Sequence, residues 1–323
     1  MKAAVYTRYG PPDVVEIKDV EKPVPKDDEV LIRVRAASLN PLDWRMLQGV
    51  PHIFRLLFRL HPPTAAEPGR LGRDVAGHVE TVGRNVTRFQ PGDAVFGWCR
   101  GSFAEYACAS ESTLIPKPDS ITYEQAAAVP VAALSSLQGI RDKGKIQPGQ
   151  KVLINGAAGG MGTFAVQIAK SFGAEVTGVC STRNVDLVRS IGADHVVDYT
   201  REDFTRSGRR YDLILDCVGN RSMSACRRAL NPKGICVIAG APKNPGLFLT
   251  RFITAPLLSR LVSQTFVLFI AKLNKEDLTL MCQLMESGKV RSVIDRRYRL
   301  DEAREALRYL EEGHARGKVV IHF

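Results

Sequence analysis

The sequence predicts a mixed α/β protein with two domains, one rich in short strands and one built on a doubly wound parallel sheet. Up to about residue 118, short β-rich runs such as "EVLIRVRAASL" and "DAVFGW" are separated by Pro and Gly turns, a pattern typical of an antiparallel barrel or sandwich. From Tyr123 onward, strand-like and helical runs alternate, as in "KVLIN" followed by "GTFAVQIAKSFG". This alternation predicts right-handed βαβ crossovers and a parallel sheet covered on both faces.

Length and charge limit the classes of function. A chain of 323 residues with 45% hydrophobic and 24% charged residues is long enough for two soluble domains with separate cores. The net charge of +11 favours anionic partners such as nucleotide phosphates, nucleic acid or an acidic membrane surface. Because the basic residues are scattered, a solvated basic surface is favoured over nucleic-acid binding.

Cysteine usage and hydropathy indicate a cytoplasmic protein. The seven cysteines form no CxxC pair, which argues against a disulfide framework and against a thiolate zinc site. The start "MKAAVYTRYG" has no apolar run long enough for a signal peptide. The apolar stretch Leu247 to Lys272 is interrupted by Arg and Pro residues, so we expect a buried helix and strand there rather than a membrane span.

Two further segments of the sequence need separate interpretation. Beyond about Asn274, two helical and two strand-like runs finish the chain, and we expect this tail to rejoin the first domain. The basic, proline-rich segment from Pro51 to Arg70 is compatible with a flap that covers substrate or touches a membrane, and equally with a surface loop.

A glycine-rich loop joins a predicted strand to a predicted helix. In "INGAAGGMG" (154–162), Gly156, Gly159 and Gly162 are three residues apart. Glycine brings the backbone close to a ligand, and the free N–H groups of a helix start attract a pyrophosphate. Within a βαβ unit this arrangement predicts a dinucleotide site. The predicted cofactor-binding residues of the loop are Gly156, Ala157, Gly159, Gly160, Met161 and Gly162.

The end of the next strand selects the cofactor. NAD sites usually carry Asp or Glu there, but "EVTGVCSTRN" ends in Ser181, Thr182 and Arg183. Hydroxyls and a guanidinium would bind a 2′-phosphate that a carboxylate would repel. We therefore predict NADPH and a ribose pocket without an acid. Alternatively, Ser181 and Thr182 are helix caps and Arg183 is a solvated surface residue.

Several further motifs establish a resemblance. Together with the glycine loop, "SLNPLDW", "LGRDVAGHVETVGRNVTRFQPGDAVFG", "GSFAEYA", "IGADHVVDY" and "GKVVIHF" resemble the medium-chain dehydrogenase/reductase superfamily, and in particular its zinc-free quinone oxidoreductase-like members. The resemblance implies a Rossmann domain inserted into a GroES-like, β-rich catalytic domain. The implied bounds are 1–121 plus 275–323 for the catalytic domain and 122–274 for the NADP-binding domain.

The resemblance also implies that the catalytic metal is missing. Zinc-dependent relatives supply Cys, His and Cys at places where this sequence has Asn40, Arg73 and the apolar residues of "VPVAAL". These groups do not suit catalytic Zn²⁺. Cys99 and Cys108 are too few to replace the four-cysteine structural lobe. Without a Lewis acid, we expect hydride delivery to an already electrophilic acceptor rather than alcohol oxidation.

By the same resemblance, Asn40 and Asp43 lie beside the nicotinamide and the substrate, and Ser135 replaces a Thr that hydrogen-bonds the nicotinamide. Asn40 before Pro41 is otherwise an ordinary turn residue, and Asp43 a helix cap. Some relatives have a tyrosine after this Asp, where this sequence has Trp44, Arg45 and Met46. Arg45 either donates to an oxyanion or faces water.

Four further residues are assigned to the cofactor by resemblance. Tyr199 is placed near the adenosine phosphate, Gly240 and Ala241 line the nicotinamide trough, and Lys318 approaches the cofactor. The alternatives are an outward-packing aromatic at 199, tight turn packing at 240–241 and a surface lysine at 318. Cys217 is expected to be a small buried hydrophobe rather than a nucleophile.

These features predict an NADPH-dependent, zinc-independent reductase that transfers a hydride to a quinone or an enone in the cleft between two domains. An enoyl thioester reductase and a non-enzymatic NADPH-binding protein, for example one that binds RNA, are the alternatives. The resemblance further implies a homodimer in which "TFVLFIAKL" provides the edge strand, and a proton supplied by solvent.

Overall fold

A computed structural model describes the backbone of residues 1–49, 62–240 and 245–323, and all of their side chains except those of 245–249 and 252. Within these ranges the chain forms two compact units. The first unit is Met1–Val131, Leu273–Glu286 and Ser292–Phe323, and the second is Ala132–Lys272 and Ser287–Arg291.

The strands and helices of the described residues follow in chain order. The strands are β1 (Lys2–Tyr6), β2 (Glu16–Asp19), β3 (Glu29–Ser38), β4 (Gly69–Arg70), β5 (Asp74–Val82), β6 (Ala94–Trp98), β7 (Tyr106–Ser110), β8 (Leu114–Pro116), β9 (Lys151–Asn155), β10 (Glu175–Cys180), β11 (His195–Asp198), β12 (Tyr211–Asp216), β13 (Leu230–Ile238), β14 (Thr265–Leu268), β15 (Ile294–Arg299) and β16 (Lys318–His322). The α-helices are α1 (Pro41–Gln48), α2 (Tyr123–Ala127), α3 (Pro130–Gln138), α4 (Gly160–Ser171), α5 (Val185–Ser190), α6 (Met223–Arg228), α7 (Pro245–Leu261), α8 (Lys275–Glu286) and α9 (Ala303–Glu312), and a π-helical turn, Gly139–Lys143, extends α3.

The second unit contains the predicted parallel sheet. Its order is β11-β10-β9-β12-β13-β14, and every neighbouring pair is parallel. The central strand β9 is fully buried at Val152, Leu153 and Ile154, as expected for a strand covered on both faces. The strand order reverses between β9 and β12, and ligands of doubly wound sheets bind at such a reversal. The predicted α/β class is confirmed.

The first unit is built on a seven-stranded sheet. Its order is β15-β16-β3-β5-β6-β8, with β7 paired to β3, and a small sheet, β2-β1-β4, accompanies it. Strand β16 pairs antiparallel with β3, so that Val320 faces Ser38. The tail of the chain therefore rejoins the first unit, as its sequence predicts.

Helix α2 belongs to the first unit, where it contacts β3 and β5. It starts with a reciprocal cap in which Gln125 N–H donates to Thr122 Oγ1 (3.2 Å) and Thr122 N–H donates to Gln125 Oε1 (2.8 Å). The bounds implied by the family resemblance place these residues in the second domain, and the boundaries at 121/122 and 274/275 stay a prediction.

The segment Leu247 to Lys272 forms a helix and a strand as predicted, but the helix is not buried throughout. Ala255 on α7 is inaccessible, whereas Ile253, Leu257 and Leu261 are 65%, 52% and 82% exposed. The expectation of a buried helix was wrong because apolar residues occur around the whole helix and only part of it packs on the sheet. Among the described residues, no helix has both the length and the apolar character needed to cross a bilayer.

Candidate active site

A cluster of buried polar side chains occupies the first unit where three elements begin. Asn40 precedes α1, Asp74 opens β5 and Lys318 opens β16, and none of the three is more than 3% exposed. Buried polar and charged groups are stable only when they are hydrogen-bonded to one another. The cluster is therefore a single hydrogen-bonded unit assembled from distant parts of the chain.

Asn40 has a fixed carboxamide orientation. Its Oδ1 accepts a hydrogen bond from Lys318 Nζ (2.7 Å), and its Nδ2 donates to Asp74 Oδ2 (2.9 Å). A flipped amide would place its NH₂ against an ammonium and its oxygen against a carboxylate. Asn40 precedes α1 as the turn alternative requires, but its side chain is a buried member of the network.

Asp74 is the acceptor shared by the whole network, and it was not among the site residues predicted from the sequence. Its Oδ2 accepts from Ser38 Oγ (2.8 Å) and from Asn40, and its Oδ1 accepts from the Val131 N–H (3.1 Å). The motif "LGRDVAGH" contains it, and the available signal was a carboxylate at the start of an otherwise apolar strand, since Val75 and Ala76 are fully buried. Such a carboxylate requires partners from elsewhere in the fold.

Lys318 is not a surface residue, so the surface alternative is wrong. Its Nζ donates to the Leu39 carbonyl oxygen (3.0 Å) and to Asn40, and lies 3.6 Å from Asp74 Oδ2. Burial lowers the pKa of Lys318 and raises the pKa of Asp74, and the attraction between the two groups opposes both shifts. The contact predicted between Lys318 and the cofactor stays a prediction.

Asp43 caps α1 and also carries an unusual protonation equilibrium. Its Oδ2 accepts the Asn40 N–H (2.7 Å), and the residue is 2% exposed, so the helix-cap alternative describes one of its contacts. Burial raises the pKa of Asp43 to about 7, with the nearby Asp74 acting in the same direction. The carboxyl therefore changes its protonation state near neutral pH.

We expect Asp43→Asn to stabilise the first unit increasingly as the pH rises. Between the ordinary pKa of 3.8 and about 7, the unfolded chain releases this proton and the folded chain keeps it, so the wild type loses stability across that window. The amide has no such loss. The difference in unfolding free energy between variant and wild type should grow by up to ~4 kcal/mol from pH 4 to pH 8.

Urea unfolding followed by tryptophan fluorescence measures this difference, because both tryptophans, Trp44 and Trp98, belong to the first unit. Asp28→Asn is the matched control, since Asp28 is exposed in the same unit. A pH-independent difference for Asp43→Asn would show that the carboxyl is ionised throughout the range.

Two arginines lie near this cluster. Arg73 donates through Nη2 to Met46 Sδ (3.0 Å), and its guanidinium carbon lies 5.3 Å from the centre of the Trp98 ring. The guanidinium carbon of Arg45 lies 5.2 Å from the Trp44 ring, and burial lowers the pKa of Arg45. Arg45 is thus partly shielded from water, and the sequence hypothesis that it donates to an oxyanion stays a prediction.

The glycine loop of the second unit runs from β9 to α4 as predicted. The N–H groups of Gly156 and Ala157 both donate to the Val179 carbonyl oxygen (3.1 and 3.0 Å), and the Gly159 N–H donates to Gly156 O (3.1 Å). These three residues therefore shape the loop with their N–H groups. The donors left for a ligand are those of the first turn of α4, which begins at Gly160.

The loop has the shape that a diphosphate requires. No side chain caps the start of α4 at Gly159. Of the described residues, a Cβ placed on Gly159 would contact Gly156 O alone, at 3.5 Å, whereas a Cβ on Gly162 would lie 2.0 Å from Gly156 O. The turn is thus tightly packed on one side and open beside the uncapped helix start. Both properties fit a bound dinucleotide phosphate.

Helix α3 supports the loop from outside. Ser136 is fully buried, and its Oγ donates to the Met161 carbonyl oxygen (2.8 Å). The family resemblance implies a nicotinamide contact for the preceding residue, Ser135, which lies partly exposed on the same helix. Ser135 therefore stays a candidate for the nicotinamide contact, and Ser136 is the residue that holds the loop.

The ends of β9 and β12 are joined by a second polar network. Asn155 Nδ2 donates to Asp216 Oδ1 (2.8 Å), which also accepts the Gly219 N–H (2.8 Å).

A Cβ on Gly240 would lie 2.2 Å from the Cys217 carbonyl carbon, which supports the tight-packing alternative for Gly240. Ala241 lies outside the described residues. Cys217 is half-buried rather than buried as predicted, and desolvation raises the pKa of its thiol, which disfavours a reactive thiolate.

The predicted ribose pocket is not free of acids. Thr182 Oγ1 donates to Asp198 Oδ2 (2.6 Å), and Asp198 ends β11, the strand beside β10. The expectation failed because the carboxylate comes from a neighbouring strand rather than from the end of β10. Ser181 Oγ accepts from Asn184 Nδ2 (3.2 Å), and Arg183 is exposed on the same short turn.

Tyr199 follows Asp198 and is 51% exposed. Its backbone N–H donates to the Cys180 carbonyl oxygen (2.9 Å), so it lies level with the end of β10. This position is open to a ligand and equally fits an outward-packing aromatic. The residues of the described ranges contain no group of three His, Cys, Asp or Glu side chains placed to hold a metal ion.

Comparisons with known proteins agree with this architecture. Residues 26–119 match the alcohol dehydrogenase GroES-like domain, and residues 191–321 match a domain described as zinc-binding dehydrogenase. The chain is 34% identical over 337 residues to a 2-methylene-furan-3-one reductase from Solanum lycopersicum, with 100% of this chain and 79% of the relative covered.

Two solved structures are also similar. A quinone oxidoreductase from Coxiella burnetii has a TM-score of 0.89 and 31% identity, with 100% of this chain and 99% of that chain covered. A mycobacterial protein solved in complex with NADPH has a TM-score of 0.83 and 25% identity, with both chains covered completely.

Proposed function

Because this chain belongs to the quinone oxidoreductase-like members of the medium-chain dehydrogenase/reductase superfamily, we propose that it reduces a quinone or an α,β-unsaturated carbonyl with NADPH and without zinc. The membership follows from relatives more than 30% identical over the whole chain and confirms the resemblance carried by the sequence motifs. The protein is an NAD(P)H-dependent oxidoreductase with a GroES-like domain and a Rossmann-type sheet.

The uncapped helix start at the glycine loop carries the proposal. Gly159 leaves open space beside the first turn of α4, where free N–H groups and the helix dipole favour a diphosphate. When bound, the cofactor supplies the hydride. The remaining roles belong to side chains of the first unit, where Asn40 has one fixed amide orientation and Asp43 is buried beside it.

Preference for NADPH is assigned to the turn after β10. Arg183 is exposed there, and a guanidinium presents a planar fork of donors that suits a phosphate. Asp198 opposes a 2′-phosphate, but its carboxylate accepts hydrogen bonds from Thr182 and Thr200 (2.6 and 2.8 Å). Arg201 Nε also lies 3.6 Å from Asp198 Oδ2 and offsets its charge, and we assign the contact with the 2′-phosphate to Arg183.

We expect Arg183→Asp to weaken selection for NADPH. Loss of a charge-assisted pair and gain of a repulsive one should lower the ratio of kcat/KM for NADPH over NADH by about 100-fold. Steady-state assays with both coenzymes measure this ratio. Arg209→Asp is the control with the same charge change at another exposed position of the second unit. An unchanged ratio in Arg183→Asp would remove Arg183 from the phosphate site.

The acceptor class follows from the chemistry of the first unit and from the relatives. One relative bears the name of a reductase of an exocyclic enone, and a structural relative is a quinone oxidoreductase. Both acceptor classes are conjugated carbonyls that take a hydride without prior activation by a metal. By the family resemblance, Asn40 and Arg73 occupy positions at which zinc-dependent relatives have metal ligands. Neither side chain suits Zn²⁺.

The proposal is tested with a panel of acceptors. The purified protein is assayed for NADPH oxidation with quinones, alkenals, a cyclic enone, an enoyl thioester and simple alcohols with NADP⁺. Turnover of the quinones or enones, unaffected by a metal chelator, is expected. Exclusive turnover of the thioester would favour the enoyl thioester reductase, and turnover of alcohols alone would overturn the proposal.

We also propose a homodimer formed through the edge of the second unit's sheet. Strand β14 is the last strand in the order, and Ile253, Leu257 and Leu261 of α7 are exposed beside it. Exposed apolar rows of this kind favour association. Sedimentation equilibrium of the wild type should give twice the chain mass of 35.5 kDa. Leu257→Glu should lower the measured mass toward that of a monomer. A monomeric wild type would refute this assembly.

A further inference from the structure

Arg73 is a half-buried cation that forms no ion pair with any residue the structure describes. Its Nη2 contacts Met46 Sδ, a weak acceptor, and its guanidinium lies over the Trp98 ring. In the part of the chain that the structure describes, no carboxylate oxygen lies within 4.0 Å of its nitrogens. A guanidinium has five donors, and burial without a paired carboxylate is costly to the fold.

The charges around Arg73 do not satisfy it. Its electrostatic neighbours are Asp43, Tyr6, Cys99 and Arg100, and burial is the largest cause of its lowered pKa. Of these, Asp43 is the only carboxyl, and it is protonated in a large fraction of molecules near neutral pH because its own pKa is about 7. At pH 7 about half of the molecules therefore have a neutral carboxyl at Asp43, and in these Arg73 faces only neutral groups and the like-charged Arg100 among its electrostatic neighbours.

We propose that Arg73 is a catalytic residue that donates hydrogen bonds to the carbonyl oxygen of the acceptor and stabilises the negative charge that develops on it. The inference rests on the proposed function, because this charge arises only when a conjugated carbonyl accepts a hydride. The guanidinium contacts Met46 Sδ and lies over the Trp98 ring, and these two contacts restrict its position before substrate binds.

The electron count identifies the oxygen that needs this donor. In an enone, the β-carbon forms a new C–H bond while the C4–H bond of the reduced nicotinamide breaks. The carbon–carbon π pair becomes a double bond to the carbonyl carbon, and the carbonyl π pair moves onto oxygen as an enolate. A proton from water then adds to the α-carbon. In a quinone, the same addition to a ring carbon leaves an enolate on one carbonyl oxygen, and protonation of that oxygen followed by enolisation, in which water takes the ring proton and returns one to the second oxygen, gives the hydroquinone.

Kinetics give the first test. Arg73→Gln should lower kcat/KM for the acceptor by about 100-fold or more, as does removal of other oxyanion donors, while the KM for NADPH stays within twofold. Arg73→Lys should recover part of the loss, because it restores the charge but not the planar fork. Arg84→Gln, at an exposed ion pair of the same unit, is the control. Equal activity of Arg73→Gln and wild type overturns the proposal.

A binding test does not depend on turnover. 4-Nitrophenol is titrated against the complex of protein and NADP⁺, and the visible absorption of its phenolate form reports ionisation of the bound probe. The wild type should lower the pKa of the bound phenol by about one unit or more, equivalent to the preference of a buried cation for the anion. Arg73→Gln should abolish this shift, and Arg73→Lys should retain it in part.

The outcomes separate the two proposals. An unbound or unshifted phenol in the wild type, or the same shift in wild type and Arg73→Gln, overturns the role of Arg73. A shift that depends on Arg73, combined with no turnover of any conjugated acceptor, overturns the proposed function and leaves the oxyanion site in place. Urea unfolding of each variant, followed by tryptophan fluorescence, verifies that the first unit is folded.

Discussion

Lys318→Met is expected to destabilise the first unit by about 3–5 kcal/mol. The substitution removes the ammonium that satisfies Leu39 O and Asn40 Oδ1 and neutralises Asp74, all within a cluster that is at most 3% exposed. Asp74 would keep only neutral donors in a low-dielectric interior. Urea unfolding followed by tryptophan fluorescence measures the loss, since both tryptophans lie in this unit.

A double-mutant cycle distinguishes a paired charge from simple packing. Lys318→Met/Asp74→Asn should lose clearly less stability than the sum of the two single variants, because neither charge is then left alone. Lys22→Met is the control, because Lys22 is paired with Glu80 (2.7 Å) at the surface of the same unit, and loss of an exposed pair should change stability little. Additive single effects would mean that Lys318 and Asp74 contribute independently.

Gly162→Ala is expected to abolish measurable cofactor binding, with an increase in Kd of at least about 100-fold. A methyl group at this position would lie 2.0 Å from Gly156 O and 2.8 Å from Ala157 Cα, so the turn that precedes α4 must move. Displaced N–H groups no longer converge on a diphosphate. The same overpacking should lower stability by roughly 1–3 kcal/mol.

Gly159→Ala is the informative companion. Its Cβ would make only one ordinary contact, at 3.5 Å, so stability should change little while the methyl group occupies space beside the helix start. Fluorescence titration with NADPH measures the Kd of the Gly162→Ala and Gly159→Ala variants. Ile168→Val on the same helix is the control for a mild core defect, because Ile168 is fully buried. Unaltered NADPH binding by Gly162→Ala would place the cofactor elsewhere.

The sequence predicted the second unit best where the signals are local. Strand β9 has the bounds of the predicted run "KVLIN", and α4 overlaps the predicted helix "GTFAVQIAKSFG" but begins two residues earlier, at Gly160. Both depend on hydrophobic period and glycine geometry within about twenty residues.

Features set by distant contacts could not be predicted in the same way. Lys318 is indistinguishable from a surface lysine until β16 pairs with β3 and brings it to Asn40 and Asp74. The acid beside Thr182 was missed because Asp198 reaches it across two paired strands. In both cases the partner is selected by strand pairing, which hydrophobic pattern alone does not specify. The roles of Asn40, Asp43, Ser135 and Lys318 toward cofactor and acceptor stay predictions.

The separation of 278 positions between Asn40 and Lys318 has a consequence for biosynthesis. On the ribosome, residues up to 240 include five of the six strands of the parallel sheet, and these can collapse while translation continues. Until Lys318 leaves the ribosome, the Asp74 carboxylate lacks its cation and Asn40 Oδ1 lacks its hydrogen-bond donor. We therefore expect nascent chains halted before residue 318 to be captured by chaperones through their amino-terminal portion, and to mature once elongation resumes.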